Sequence, residues 1–344
     1  MITVLVTAFN RKQFLPEALC SVINQTLDPS EYEVIVVKNF ADGLSDRIIK
    51  ENGFKEIICN DPRMGIHYML ALREASGEVI CPLDDDDLFH PNKLEYIRGF
   101  YARNRCLGFV WNSVLTFRGD EPQVGRGVLD ANFRDLLVRR IRSSGKPKNT
   151  PYPFNNSGIA VKRDILLNRI DLLSKIEIAI DAYMFFAAYM ADCDFLFTSK
   201  ILTYYRLHRS NASQVFDVDQ QKFLDRRLRT YKHWVHDWGV IRELCRGSAW
   251  EYEATRRMYE AELLASLLGT REREQIVRSL YRYALCEFSG IWKDKPWALN
   301  HIRPLVDPSS WVYRGTLGVL SPGTLRRLLF LRTLKHAKVS DTHK

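Results

Sequence analysis

The sequence predicts an α/β fold with a mostly parallel central sheet, followed by a helical extension. Three observations predict it. The first hundred residues alternate apolar, β-branched runs with segments of helical period. Four consecutive carboxylates, Asp84-Asp85-Asp86-Asp87, end one of the apolar runs, Glu78–Leu83. Beyond about residue 215 the pattern turns helical and strongly charged, so we expect one domain over residues 1–215 and a basic helical region over 216–344.

In order, strands are predicted at Ile2–Phe9, Tyr32–Val37, Lys55–Cys59 and Glu78–Leu83. Helices are predicted at Phe14–Asn24, Leu44–Lys50, Gly65–Ala75 and Pro91–Tyr101, the last with proline in its first turn. Strands separated by helices of this length imply right-handed βαβ units. The pattern then becomes mixed: one or two strands in Leu107–Phe117, a basic helix at Ala131–Ile141, and a loop over Ser143–Asn156. A strand at Ser157–Val161, a helix at Glu177–Met190, and strands at Phe195–Phe197 and Leu202–Leu207 follow. In the helical region, Trp234, Trp238, Trp250, Tyr252, Tyr281, Tyr283 and Trp292 are predicted anchors. No internal repeat or low-complexity tract is evident.

Composition narrows the function. At 344 residues, with 46% apolar and 26% charged residues, the chain is globular. No apolar stretch is long enough to span a bilayer. The amino terminus reads as a first strand and lacks the marks of a secretion signal, so a cytoplasmic location is expected. Seven scattered cysteines without a C-x-x-C pair point to reduced thiols and away from zinc. The formal charge is +9, and residues 300–344 hold eight Lys or Arg against two Asp. That asymmetry predicts an anionic partner. Nucleic-acid motifs are absent, which leaves a phosphorylated acceptor or an anionic membrane surface.

The acidic run carries the chemistry. Adjacent carboxylates repel unless a cation, basic groups or water relieve them. At the carboxyl end of a strand they lie where open α/β sheets gather ligands. A hard divalent ion carrying substrate phosphates suits such a place. Neither a G-x-G-x-x-G nor a Walker-type loop follows the first strand, which disfavours dinucleotide and P-loop folds.

Val6-Thr7-Ala8-Phe9-Asn10-Arg11, Glu17-Ala18-Leu19-Cys20-Ser21-Val22, Ala75-Ser76-Gly77-Glu78-Val79-Ile80, the acidic run and Pro91-Asn92-Lys93-Leu94 resemble, in order and spacing, a family 2 glycosyltransferase. Asp181 and Tyr205-Arg206-Leu207-His208-Arg209-Ser210-Asn211-Ala212-Ser213 continue the match to about residue 215. The resemblance implies the GT-A fold and a nucleoside-diphosphate-sugar donor bound with Mn²⁺ or Mg²⁺. It implies transfer to a glycan or lipid-linked acceptor with inversion.

On an extended backbone Asp84 and Asp86 would share a side. That matches the family's D-x-D, with Asp84 toward the ribose and Asp86 on the metal. Asp87 is a third carboxylate for the metal, and His208 is expected at the metal or the diphosphate. Thr7, Asn10, Arg11, Asn39, Asp85 and Arg206 join Asp84 as donor-binding candidates. Asn39 stands about where the family has an acid at the nucleobase, so the base stays open between UDP and GDP. Asp181, near a helix start, is the expected catalytic base. The segment Phe154–Gly158 falls where the family receives its acceptor. The basic amphipathic stretch Pro322–Lys338 fits either packing on its own domain or peripheral attachment to anionic lipid. A nucleotidyltransferase and a non-catalytic sugar-nucleotide binder are the rival readings.

Overall fold

The structure is a computed structural model that describes residues 1–119, 131, 134–139, 155–208, 220–269 and 273–291. The basic segment 322–338, the loop 143–154, Trp292 and the 209–213 motif lie outside the described residues. The chain divides into two compact units, Met1–His208 and Arg209–Lys344.

The first unit is built on strands β1 (Ile2–Ala8), β2 (Tyr32–Lys38), β3 (Lys55–Ile58) and β4 (Val79–Asp84). These run parallel in the order β3-β2-β1-β4, connected by helices α1 (Leu15–Ile23), α2 (Gly43–Glu51) and α3 (Met64–Glu74). The reason is visible in the strands: Val4, Val6, Val34, Val36, Cys81 and Leu83 are all buried, and Leu15, Leu19 and Val22 of α1 close over them. β-Branched residues suit such a sheet because their stiff side chains pack on a pleated surface. Gly77, just before β4, is required by close approach. A Cβ there would meet the Thr3 backbone nitrogen at 2.5 Å.

The sheet continues through β8 (Ile159–Lys162), β6 (Leu107–Phe117), β9 (Asp194–Arg206) and β5 (Leu88–Phe89). Here β6 and β9 run parallel, whereas β8 is antiparallel to β4 and β6, and β5 to β9. Helix α4 (Lys93–Arg103) follows β5. Three short helices, α5 (Arg163–Leu167), α6 (Ile170–Leu173) and α7 (Ile180–Met190), lead into β9.

Four expectations are corrected. The basic helix over Ala131–Ile141 is replaced, in its described part, by strand β7 (Leu136–Val138), antiparallel to β9 at Phe195–Phe197. An available sheet edge outweighs local helix propensity there. The two strands expected at Phe195–Phe197 and Leu202–Leu207 are one strand, with register shifts against β6. Pro91 precedes α4 by two residues and lies outside it. Helix α7 begins at Ile180 and not at Glu177.

The second unit holds helices α8 (Gln220–Leu244), α9 (Trp250–Gly269) and α10 (Arg273–Ile291). Trp238, Ile241, Leu244, Trp250, Ala254 and Ala261 are buried. Of the predicted anchors, Trp238 and Trp250 are buried while Trp234 is exposed. Gly247, at φ 76°, makes the left-handed turn between α8 and α9. On α9, Glu253 receives Arg256 at 2.8 Å and Arg257 at 3.2 Å.

Candidate active site

Strands β1 and β4 are neighbours, and Thr7 pairs with Asp84 at their carboxyl ends. β4 stops at Asp84. The chain then turns, with the Asp87 amide donating to the Asp84 carbonyl at 3.1 Å. The expected alternation is therefore lost, because Asp85 and Asp86 lie in a turn and not on an extended strand. The turn itself gathers the carboxylates. Oxygens of Asp84, Asp86 and Asp87 all lie within 4.8 Å of one another, while Asp85 faces Arg11.

Arg11 forms a two-point pair with Asp85, its Nε donating to Oδ2 at 3.1 Å, and a terminal nitrogen also lies 2.7 Å from Asp86 Oδ2. His208 Nε2 reaches the same Asp86 oxygen at 2.9 Å. An Nε2–H tautomer donates there. The imidazole also lies tilted against the Phe14 ring, with centroids 4.7 Å apart. Thus residues 11, 85, 86 and 208, separated by up to 197 positions in sequence, meet at one point.

Burial sets the electrostatics. It pushes Asp84 well above the usual carboxylate range, with the charges of Asp87 and Asp86 adding to the shift and Asn156 opposing it. Burial raises Asp85 to about 6 against the pull of Arg11. Burial and the Asp86 charge raise Asp87 to about 7, opposed by Ser157, the Arg206 amide and Asn155. Crowded, buried carboxylates of this kind favour a bound cation.

The loop after β1 is held by an amide pair. Asn39 Oδ1 accepts from the Asn10 backbone at 2.8 Å, and Asn39 Nδ2 donates to Asn10 Oδ1 at 2.8 Å. This fixes Asn10 at φ 57°, a left-handed conformation that asparagine tolerates. Thr7 is buried, and its hydroxyl oxygen has no hydrogen-bond partner. Arg206, also expected at the donor, is 2% exposed and lies beneath the acidic turn. Its guanidinium binds Glu17 and the carbonyls of Asp86 and Gly119, between the rings of Phe14 and Phe117. Its place supports the turn instead of lining an open face.

Asp181 is the second residue of α7, and its carboxylate accepts from the Ala182 amide at 2.7 Å. Burial raises the Tyr68 phenol well above its usual value, and the charges of both Asp84 and Asp181 add to that shift. Both charges therefore act on the same buried tyrosine.

Sequence reasoning missed the supports of the turn. Asn156 Nδ2 donates to Asp84 Oδ1 at 2.7 Å, and Asn155 Nδ2 to Asp87 Oδ2 at 3.2 Å. Lys93, fully buried, holds Ser157. The available signal is the polar triplet Asn155-Asn156-Ser157 at the start of a predicted buried strand, in the segment that the resemblance assigns to the acceptor.

A mixed α/β sheet thus ends in an acidic turn on which an arginine and a histidine converge. Residues 3–152 match the family model described as Glycosyl transferase family 2. That match covers most of the amino-terminal unit and less than half of the whole chain. The chain is 24% identical over 175 residues to the poly(ribitol-phosphate) beta-N-acetylglucosaminyltransferase TarP of Staphylococcus aureus strain N315, covering 49% of this chain and 45% of that protein. It is 26% identical over 243 residues to an uncharacterized glycosyltransferase of Haemophilus influenzae, covering 65% of this chain and 75% of that one. The chain thus spans less than half of the first relative. Among solved structures, residues 1–349 of S. aureus TarS in complex with UDP-GlcNAc superimpose with a TM-score of 0.51 at 15% identity, covering 85% of this chain and 92% of that one. That likeness is one of fold.

Proposed function

We propose that this protein moves a sugar from a nucleoside-diphosphate-sugar to an acceptor hydroxyl with inversion, using a divalent cation held by the acidic turn. The observation that carries the reading is the cluster of Asp84, Asp86 and Asp87 oxygens at the carboxyl end of β4. Hard oxygen donors at this spacing fit Mg²⁺ or Mn²⁺. Asp86, Asp87 and His208 would hold the ion, with Asp84 beside them toward the ribose. Such an ion supplies charge neutralisation at the diphosphate.

The chain's own residues do the remaining work. Asp181 accepts the proton of the acceptor hydroxyl as that oxygen bonds to the anomeric carbon. The bond from that carbon to the diphosphate oxygen breaks, and the nucleoside diphosphate leaves. Arg11 turns from Asp85 and Asp86 to the phosphate oxygens, for which its planar donors are suited. Thr7, with its unpartnered hydroxyl, and the Asn10–Asn39 pair line the donor site. Asp85 restrains Arg11 until the donor arrives.

The donor nucleotide is UDP or GDP. Because the relative TarP is named for N-acetylglucosamine transfer to poly(ribitol phosphate), and the TarS structure of like fold holds UDP-GlcNAc, that sugar nucleotide is the first donor to test. A glycan acceptor, free or lipid-linked, follows from the same reading. No helix among the described residues is long and apolar enough to cross a membrane. The basic carboxyl-terminal segment would place the enzyme at an anionic, cytoplasmic membrane face. Donor turnover by purified protein with Mn²⁺, against Asp86→Ala, tests the reading. Turnover at wild-type rate in Asp86→Ala would contradict it.

A further inference from the structure

Three consecutive side chains, Asn155, Asn156 and Ser157, address the acidic turn from strand β8's entrance. Asn155 donates to Asp87 Oδ2 at 3.2 Å and Asn156 to Asp84 Oδ1 at 2.7 Å. The Ser157 hydroxyl accepts from the Asp84 amide at 3.0 Å and donates to the Asp87 carboxylate. One hydroxyl can do both. These are neutral donors. They hold the carboxylates in place without supplying the positive charge that would compete with a cation.

The triplet is itself clamped. Tyr68, buried in α3, donates to Asn156 Oδ1 at 2.7 Å, which fixes the amide so that its nitrogen faces Asp84. The Lys93 ammonium, also fully buried, donates to the Ser157 carbonyl and to Thr203 Oγ1 at 2.9 Å, and Thr203 Oγ1 lies 3.0 Å from the same carbonyl. It sits 4.0 Å over the Phe89 ring. Its hydrogen bonds therefore go to the triplet's backbone and to Thr203, while its charge also interacts with Asp87.

We propose that the Asn155-Asn156-Ser157 triplet, with Tyr68 and Lys93 behind it, is a positioning element that sets the spacing of Asp84 and Asp87 and thereby the affinity for the cation. The inference rests on the cation-dependent reading and deepens it. Residues behind metal ligands typically change metal affinity by about 10- to 100-fold when removed.

Tyr68→Phe deletes one hydroxyl that touches neither the ion's carboxylates nor the donor. Tyr101→Phe is the matched control: its hydroxyl donates to the Ala160 carbonyl at 2.9 Å, in the same unit but outside the triplet. Mn²⁺ binding to the full chain, followed by its electron paramagnetic resonance signal with UDP or GDP present, separates the two. Tyr68→Phe should weaken Mn²⁺ by roughly tenfold, and Tyr101→Phe should leave it unchanged at a comparable loss of melting temperature. Asn155→Ala, at a half-buried position, should weaken it too if Tyr68→Phe fails to fold. Equal Mn²⁺ affinity in wild type, Tyr68→Phe and Asn155→Ala overturns the positioning role while leaving the cation site standing. Absence of Mn²⁺ binding in wild type removes the cation reading and this inference with it.

Discussion

Asp86 Oδ2 is shared by Arg11 and His208, two residues from opposite ends of the first unit. A cation taking that oxygen must displace Arg11, which then faces the phosphates. Arg11→Ala should therefore raise the Kd for UDP or GDP by about tenfold, the scale of one charged hydrogen bond, while Mn²⁺ alone binds no less tightly; calorimetry reads both. Asp181→Asn should lower turnover by roughly 10²- to 10⁴-fold, the usual contribution of a general base, with nucleotide affinity retained in a thermal-shift assay. The acidic run was legible as four adjacent carboxylates at a strand end, whereas Arg11, His208 and Asp181 were legible only through the resemblance to the glycosyltransferase family. The direction of Asp85 and the inward turn of Arg206 were not. Both depend on partners, Arg11 and Glu17, that are 74 and 189 positions away.

Elements followed the sequence where hydrophobic period was long enough to read. The four parallel strands and their helices lie within one or two residues of expectation. Strand β7 and helices α5 and α6, of three, five and four residues, are too short to show a period. Their places are set by neighbours: β9 for β7, and α3 for α6 through Gly65. A Cβ at Gly65 would stand 1.9 Å from the Leu173 carbonyl oxygen. Gly65→Ala should consequently cost about 1–3 kcal/mol, read as a lower urea midpoint with unchanged slope.

The molecule as a whole carries the cost of its acidic turn. Asp85 and Asp87 titrate near 6 and 7, and Asp84 is raised further in the same direction. Between the unfolded values near 4 and these, the folded state holds more protons than the unfolded one. Stability from this cluster therefore falls as pH rises through that window. Without metal, the melting temperature should drop from pH 5 to pH 8, and Mn²⁺ should restore more of it at pH 8 than at pH 5. A pH-independent melting temperature would contradict this. At the same scale, flotation with anionic liposomes should carry the full chain but leave behind a form lacking residues 300–344; equal flotation would remove the membrane role.

The account stands most directly on a calorimetric titration of Mn²⁺ into the full chain with UDP or GDP present, run beside Asp86→Ala. It predicts saturable binding in the wild type that Asp86→Ala weakens by at least tenfold. No heat in the wild type with either nucleotide, or the same binding in both proteins, would contradict it.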